Sequence, residues 1–110
     1  MKLSEELKSA IVERLMPLKP EKVVLFGSYA YGQPNENSDL DLYVVTSDEY
    51  TPQNWREKSA IFLKTIKTLD DIQKQIPIDL IAHTKPMYQK FIELDGMLSR
   101  KIFREGISLI

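Results

Sequence analysis

The sequence contains no cysteine and only one histidine among its 110 residues. The absence of cysteine excludes disulfide bonds and thiolate zinc ligands. No apolar run is long enough to span a bilayer, and the first fifteen residues mix charged with apolar side chains, unlike a secretory signal. We therefore expect a cytoplasmic protein with no membrane partner.

The chain also lacks an excess of positive charge. Fifteen Lys and Arg residues stand against sixteen Asp and Glu residues, which gives a formal net charge of −1. Nucleic-acid backbones are bound by neutralising their phosphates, so we expect no direct nucleic-acid binding. With 43% hydrophobic residues, a chain of this length can build one core. The expectation is a single domain over residues 1–110.

Hydrophobic spacing and the positions of glycine and proline predict the secondary structure. In chain order, the predicted elements are a helix over 4–16, a strand over 23–26, a short helical turn and loop over 27–38, a strand over 39–46, a long helix over 53–75, a strand over 78–83, two helices after residue 86 and over 97–105, and an edge strand over 107–110.

This order predicts an α+β fold built on a small mixed β-sheet, in the order αβαβαβα. The first two strands are joined by a turn and a loop, so we expect them to pair antiparallel. The second and third strands flank the long helix, which requires a parallel pair with a right-handed crossover.

Three carboxylates and a Gly-Ser pair meet at one edge of this predicted sheet. Asp39 and Asp41 leave the same face of the second strand, with Cα atoms about 6.6 Å apart. Asp79 begins the neighbouring strand, and Gly27-Ser28 ends the first one.

Carboxylates about 5 Å apart repel by roughly 3 kcal/mol per pair at an effective dielectric constant near 20. Ligands that offer only oxygen suit Mg²⁺ or Mn²⁺, and two such ions about 4 Å apart form a clamp for phosphoryl chemistry. Asp39, Asp41 and Asp79 are therefore candidate metal ligands and catalytic residues. The alternative is that Asp39 caps a turn, Asp41 faces solvent and Asp79 pairs with a lysine.

Gly27 and Ser28 are candidate phosphate-binding residues. A strand that ends in glycine and opens into a helical turn leaves backbone N–H groups where an anion can bind. By itself, a Gly-Ser pair after a strand is more often an ordinary turn.

Together, Gly27-Ser28, Asp39-Leu40-Asp41 and a distant Asp79 flanked by apolar residues resemble the nucleotidyltransferase superfamily that includes DNA polymerase β. The short length is similar to its minimal nucleotidyltransferase (MNT) branch, which is often encoded beside a HEPN-domain partner. The resemblance covers nearly the whole chain, up to the final segment LSRKIFREGISLI.

The resemblance implies a role for each motif residue. Asp39 and Asp41 would bridge two Mg²⁺ ions, with Mn²⁺ as a substitute, and would also contact the nucleotide. Asp79 would bind the catalytic ion and help activate an acceptor hydroxyl. Gly27 and Ser28 would hold the β- and γ-phosphates of a nucleoside triphosphate, whose nucleotidyl group passes to the acceptor as pyrophosphate leaves.

Some residues depart from the branch or have two interpretations. Many members carry arginine shortly after Gly-Ser, where this chain has Tyr29 and Tyr31; one tyrosine is expected in the core and the other over the sheet edge, with stacking on the base as an alternative. The basic residues near residue 101 either replace the missing charge or form a solvated face (Arg100, Lys101, Arg104). His83 is expected to be structural, and Trp55 is expected to anchor helix packing.

Three functional hypotheses remain open. The first is a nucleotidyltransferase that acts from a nucleoside triphosphate, with ATP expected, on a hydroxyl of a HEPN toxin, which gives it an antitoxin role. The second is a binding module that neutralises such a partner by contact. The third is a transferase for a small molecule of the aminoglycoside type, which would need a homo-oligomer to build a second pocket. The apolar tail (Ile107, Leu109, Ile110) would either close a sheet edge or contact a second copy.

Overall fold

A computed structural model describes residues 3–32, 34 and 37–110 of the chain. Its elements, in chain order, are α1 (Glu5–Leu15), a 3₁₀ turn (Met16–Leu18), β1 (Lys22–Phe26), α2 (Ser28–Tyr31), β2 (Leu40–Val45), α3 (Trp55–Lys67), α4 (Asp70–Gln73), β3 (Ile78–His83), α5 (Lys85–Leu94), α6 (Met97–Glu105) and β4 (Ile107–Ser108). The loop predicted before residue 39 lies in part on residues 33, 35 and 36, outside the described residues.

Within the described ranges, the strands form one mixed sheet in the order β3-β2-β1-β4. Strand β1 pairs antiparallel with both β2 and β4, and β2 pairs parallel with β3. The predicted α+β class and both predicted strand pairings are therefore confirmed. The predicted edge strand forms as β4, which pairs with the edge of β1 that β2 leaves free.

Alternate residues of β1 and β2 face opposite sides of the sheet, as strand geometry requires. One side packs against apolar residues of α1, α3 and α4, and its strand residues are Val23, Leu25, Leu40, Leu42 and Val44. The other side packs against α5 and α6, and its strand residues are Val24, Phe26, Tyr43 and Val45. Over residues 3–32, 34 and 37–110, no helix has the length and apolar character needed to cross a membrane.

The predicted long helix over 53–75 is wrong as a continuous element. The structure divides it into α3 and α4, with a break at Thr68 and Leu69. The hydroxyl of Thr68 donates a hydrogen bond of 2.8 Å to the carbonyl oxygen of Thr65. This local bond competes with regular helical hydrogen bonding and favours a helix end.

The predicted packing role of Trp55 is also wrong, because this side chain is 81% exposed. The buried positions of α3 are Ile61 and Thr65. At about 100° per residue, Trp55 lies roughly 120° around the helix axis from Ile61. Trp55 therefore lies off the face that meets the sheet, and Phe62 is likewise 41% exposed.

Candidate active site

The strand register places two of the candidate acids side by side. Asp41 of β2 is paired in register with Asp79 of β3, and on its other side with Phe26 of β1. Asp39 lies immediately before β2 and is exposed. The structure therefore brings the three acids to the edge of the sheet at which β1 ends.

Gly27 connects this edge to the short helix α2. Its φ of +74° lies in the region that L-amino acids rarely adopt, and a Cβ atom at this position would overlap the carboxylate of Asp41. Only glycine lets the backbone approach the acid so closely. Strand β1 thus ends directly beneath the Asp41 carboxylate.

Ser28 begins α2, directly after Gly27. The amides of Ala30 and Tyr31 donate hydrogen bonds of 3.0 and 3.1 Å to the carbonyl oxygen of Gly27, which closes the turn. Ser28 and Tyr29 are the first residues of α2, so their amides have no acceptor within this helix. The corner therefore offers N–H donors beside the acids.

The carboxylate of Asp41 is strained electrostatically. Burial raises the pKa of Asp41 to about 6, and the negative charges of Asp79 and Asp39, with a hydrogen bond to Asp79, act in the same direction. The positive charge of Lys101 acts against this rise. A carboxylate with this environment gains from a cation placed beside it.

The alternative assignment of Asp79 to a lysine partner does not hold in the described part of the chain, where Asp79 makes no ion pair with Lys or Arg. Its neighbour is the Asp41 carboxyl instead, which hydrogen-bonds to it.

The two tyrosines of the turn have different environments. Tyr29 packs against the core on the α1 side of the sheet. Tyr31 lies across the sheet edge toward α6, with its hydroxyl near the backbone of Gly27 and the carboxylate of Glu105. Burial raises the pKa of Tyr31, and the nearby Glu105 carboxylate adds to this effect.

The basic residues of α6 also have different environments. Arg100 pairs with Asp95 through hydrogen bonds of 3.1 and 2.8 Å. Lys101 instead lies over the ring of Tyr31, with its Nζ atom 5.6 Å from the ring centroid. One basic residue of the helix therefore faces the acids.

Sequence reasoning did not include Glu105 in the site. The signal that could have found it is the pairing of β4 with β1, which places the last turn of α6 beside the end of β1. The close packing of Gly106 on Val24 and Leu25 fixes this position.

His83 lies away from the acids, at the opposite end of β3. Its Nδ1 atom lies 2.8 Å from the hydroxyl of Tyr43, and its ring packs edge-on against Phe91. Burial lowers the pKa of His83, which favours a neutral ring. These contacts agree with the predicted structural role.

The acids do not form a closed metal-ligand set: within residues 3–32, 34 and 37–110, no group of three or more His, Cys, Asp or Glu side chains is arranged to hold an ion. The chemistry of the donors nevertheless fits Mg²⁺ or Mn²⁺, because they are carboxylate oxygens. The raised pKa of Asp41 shows that its charged form is disfavoured here, and a bound cation would favour that form.

A sequence model of the nucleotidyltransferase domain matches residues 4–109 of the chain. The match therefore includes every candidate site residue. No curated protein sequence matches the chain.

Solved toxin–antitoxin structures share the fold. A crystal structure of a toxin–antitoxin with AMP-PNP contains a chain that is 22% identical, with a TM-score of 0.57 over 94% of this chain and 72% of that one. A crystal structure of a MntA–HpeT toxin–antitoxin mutant contains a chain that is 19% identical to this one. Its TM-score is 0.55 over 94% of this chain and 71% of that chain. A complex of tri-AMPylated Shewanella oneidensis HEPN toxin with MNT antitoxin contains a chain that is 19% identical to this one. Its TM-score is 0.50 over 94% of this chain and 68% of that chain.

Proposed function

The chain belongs to the nucleotidyltransferase domain family, and from this premise we propose that it transfers a nucleoside monophosphate from ATP to a hydroxyl group in a reaction that depends on divalent cations. The observation that carries the proposal is the cluster of Asp41, Asp79 and Asp39 beside the Gly27 corner, with the pKa of Asp41 raised to about 6. Such a cluster is costly to the fold and is explained by cation binding.

The acids would hold the metal ions. Asp39, Asp41 and Asp79 would hold two Mg²⁺ or Mn²⁺ ions. When bound, the ions would neutralise charge that develops on the phosphoryl oxygens. Asp39 is exposed and precedes β2, so its side chain can turn toward Asp41 without a change in the sheet.

Gly27 and Ser28 would bind the β- and γ-phosphates. The first amides of α2, with the hydroxyl of Ser28, would provide donors for the phosphate oxygens. The missing Cβ of Gly27 leaves the Asp41 carboxylate next to these donors. The triphosphate would therefore lie with its α-phosphorus near the acids.

The reaction would be an in-line displacement at the α-phosphorus. The acceptor oxygen forms a bond to phosphorus as the bond to the leaving pyrophosphate breaks, and the carboxylate of Asp79 takes the acceptor proton. Catalysis of this kind depends on alignment and on charge stabilisation more than on covalent chemistry.

The acceptor is proposed to be a hydroxyl of a HEPN-domain partner, which places the chain in the MNT branch with an antitoxin role. Two observations support this choice. Three solved structures with the same fold are toxin–antitoxin assemblies, and one of them holds an AMPylated HEPN toxin with its MNT antitoxin. ATP is proposed as the donor because another of them contains AMP-PNP.

The test is label transfer with the chain purified together with its bound partner. Incubation with Mg²⁺ and ATP labelled at the α-phosphate should label the partner, whereas ATP labelled at the γ-phosphate should not. Asp41→Asn should abolish the labelling, because it removes a metal-bridging carboxylate, whereas Glu93→Gln on α5 should retain it.

Two outcomes would contradict this function. Tight binding of the partner without label transfer and without ATP binding would favour neutralisation by contact. Pyrophosphate release that depends on small hydroxylated acceptors, and not on the partner, would favour a small-molecule transferase.

A further inference from the structure

The phosphate-binding turn carries no positive charge of its own. Between Gly27 and Asp39 the sequence contains no Lys or Arg. A triphosphate at this turn would bring several negative charges next to three carboxylates. Apart from the metal ions, any cationic side chain that contacts the β- and γ-phosphates must therefore come from another element.

Lys101 of α6 is placed to supply this charge. Its Nζ atom lies 5.6 Å from the centroid of the Tyr31 ring, over the turn that Gly27 begins. The next residue, Ile102, is fully buried and fixes this part of α6 against the sheet. Lys101 makes no ion pair with an acid anywhere in the described ranges, so its ammonium group is available to a ligand.

Tyr31 connects α2 to the part of α6 that carries Lys101. Its hydroxyl lies near the backbone of Gly27 and the carboxylate of Glu105, so the ring spans the space between α2 and α6. A cation over an aromatic face is attracted by the ring, and the attraction limits where the lysine side chain can go. Arg100 is less suited to the task, because Asp95 already binds its guanidinium.

We propose that Lys101, positioned by the ring of Tyr31, binds the β- and γ-phosphates of the nucleoside triphosphate and replaces a basic residue on the turn itself. This inference rests on the proposed function and assigns a phosphate contact to an element outside the Gly-Ser motif. Tyr31 is a positioning residue in this account, and Lys101 is a binding residue.

Calorimetric titration of the purified chain with ATP and Mg²⁺, and separately with adenosine, tests the assignment. Lys101→Met should raise the Kd for ATP by about tenfold or more, because a charge-assisted contact to phosphate is lost. The Kd for adenosine should not change, since adenosine has no phosphate. Lys90→Met is the matched control: it removes the same charge from an exposed position of α5 and should bind ATP as the wild type does.

The double variant Tyr31→Arg with Lys101→Met gives a rescue test. It returns a cation to the turn and should recover most of the ATP affinity that Lys101→Met alone loses. Failure of this rescue, when the variant binds adenosine normally, would contradict the idea that the lysine stands in for a cation on the turn.

Nuclear magnetic resonance of the metal-free protein tests the positioning role. We expect the Tyr31 ring to shift the Hε signals of Lys101, which lies over its face. Tyr31→Leu should then move these signals toward random-coil values, while the Lys90 signals stay in place. Unchanged Lys101 signals would overturn the role of Tyr31.

The two proposals fail in different ways. Equal ATP affinities in the wild type and in Lys101→Met would overturn the assignment of Lys101 and leave the proposed function intact. Absence of ATP binding in the wild type would overturn both.

Discussion

Gly27 is the residue on which the site geometry depends most. It combines a positive φ with a position where any Cβ would overlap the Asp41 carboxylate. Gly32 has a similar φ of +80°, but a Cβ there would meet nothing within 4 Å. Substitutions at the two glycines therefore distinguish the effect of backbone strain from the effect of crowding at the site.

Gly27→Ala should abolish ATP binding, because the new methyl group displaces the Asp41 carboxylate. Gly32→Ala should cost about 1 kcal/mol of stability through its positive φ alone and should keep measurable ATP binding. Chemical denaturation and calorimetric titration of both variants would check this. Equal ATP affinity in Gly27→Ala and the wild type would contradict the close approach of this backbone to Asp41.

Asp41 lowers the stability of the protein at neutral pH. Its pKa of about 6 exceeds the value of 3.8 for an ordinary aspartate, because of burial and acidic neighbours. Between about pH 4 and pH 6 the folded chain thus holds a proton that the unfolded chain has lost. Stability therefore falls as the pH rises through this window.

Asp41→Asn should raise the Tm above that of the wild type at about pH 7.5, and the gap should shrink as the pH falls toward about 4. Thermal unfolding over this pH range measures the effect. Glu93→Gln removes a negative charge from an exposed position of α5 and should show no such pH-dependent gap. A wild type more stable than Asp41→Asn at pH 7.5 in the absence of metal would refute the account of the cluster.

At the scale of elements, helix α3 illustrates how burial can differ from hydrophobic character. Its buried face contains Ile61 and Thr65, whereas Trp55 is 81% exposed. Trp55 lies off the helix face that contains Ile61 and Thr65. Apolar residue type is therefore a poor guide to stability at this end of the helix.

Trp55→Ala should change the free energy of unfolding by less than about 0.5 kcal/mol, as expected for an exposed position. Ile61→Ala on the same helix should cost about 2–5 kcal/mol, because it leaves a cavity in a packed interface. Urea denaturation of both variants gives the comparison. A large loss in Trp55→Ala would place this tryptophan in a packed contact.

Much of this fold was predictable because the strands carry strong local signals. The apolar run at β1, the alternation around Leu40 and Leu42, and the helix between β2 and β3 together determine the pairing of the strands. The break between α3 and α4 was not predictable in this way, since apolar spacing continues through Thr68 and Leu69. At this break the Thr68 hydroxyl and amide both donate to the carbonyl oxygen of Thr65, and apolar spacing does not reveal such local bonds.

The site was predictable in part. Asp39, Asp41 and Asp79 stand out because charges are unexpected at the start of strands with an apolar sequence, and Gly27 follows the end of a strand. The contribution of α6 was harder to predict, because it depends on β4 pairing with β1. That long-range contact brings Lys101 to the Tyr31 ring and Glu105 to its hydroxyl. The sequence predicts the edge strand but does not specify the strand with which it pairs.

For the molecule as a whole, metal binding should be coupled to stability. A ligand that binds the folded state alone stabilises it by about 1.4 kcal/mol at ten times its Kd. For a chain of this size, Mg²⁺ at that concentration should raise the Tm by about 5 °C or more. Asp41→Asn should not respond to Mg²⁺ in differential scanning calorimetry. An equal rise in both proteins would indicate that the ion binds elsewhere.

The central claim is that the acids at the Gly27 corner hold two divalent ions under a triphosphate. A crystal structure with Mn²⁺ and a non-hydrolysable ATP analogue tests it most directly, because Mn²⁺ scatters anomalously. We predict two anomalous peaks about 4 Å apart, bridged by Asp39 and Asp41, with Asp79 on one of them. A bound analogue with no Mn²⁺ at these carboxylates, or Mn²⁺ bound at other residues only, would contradict the claim.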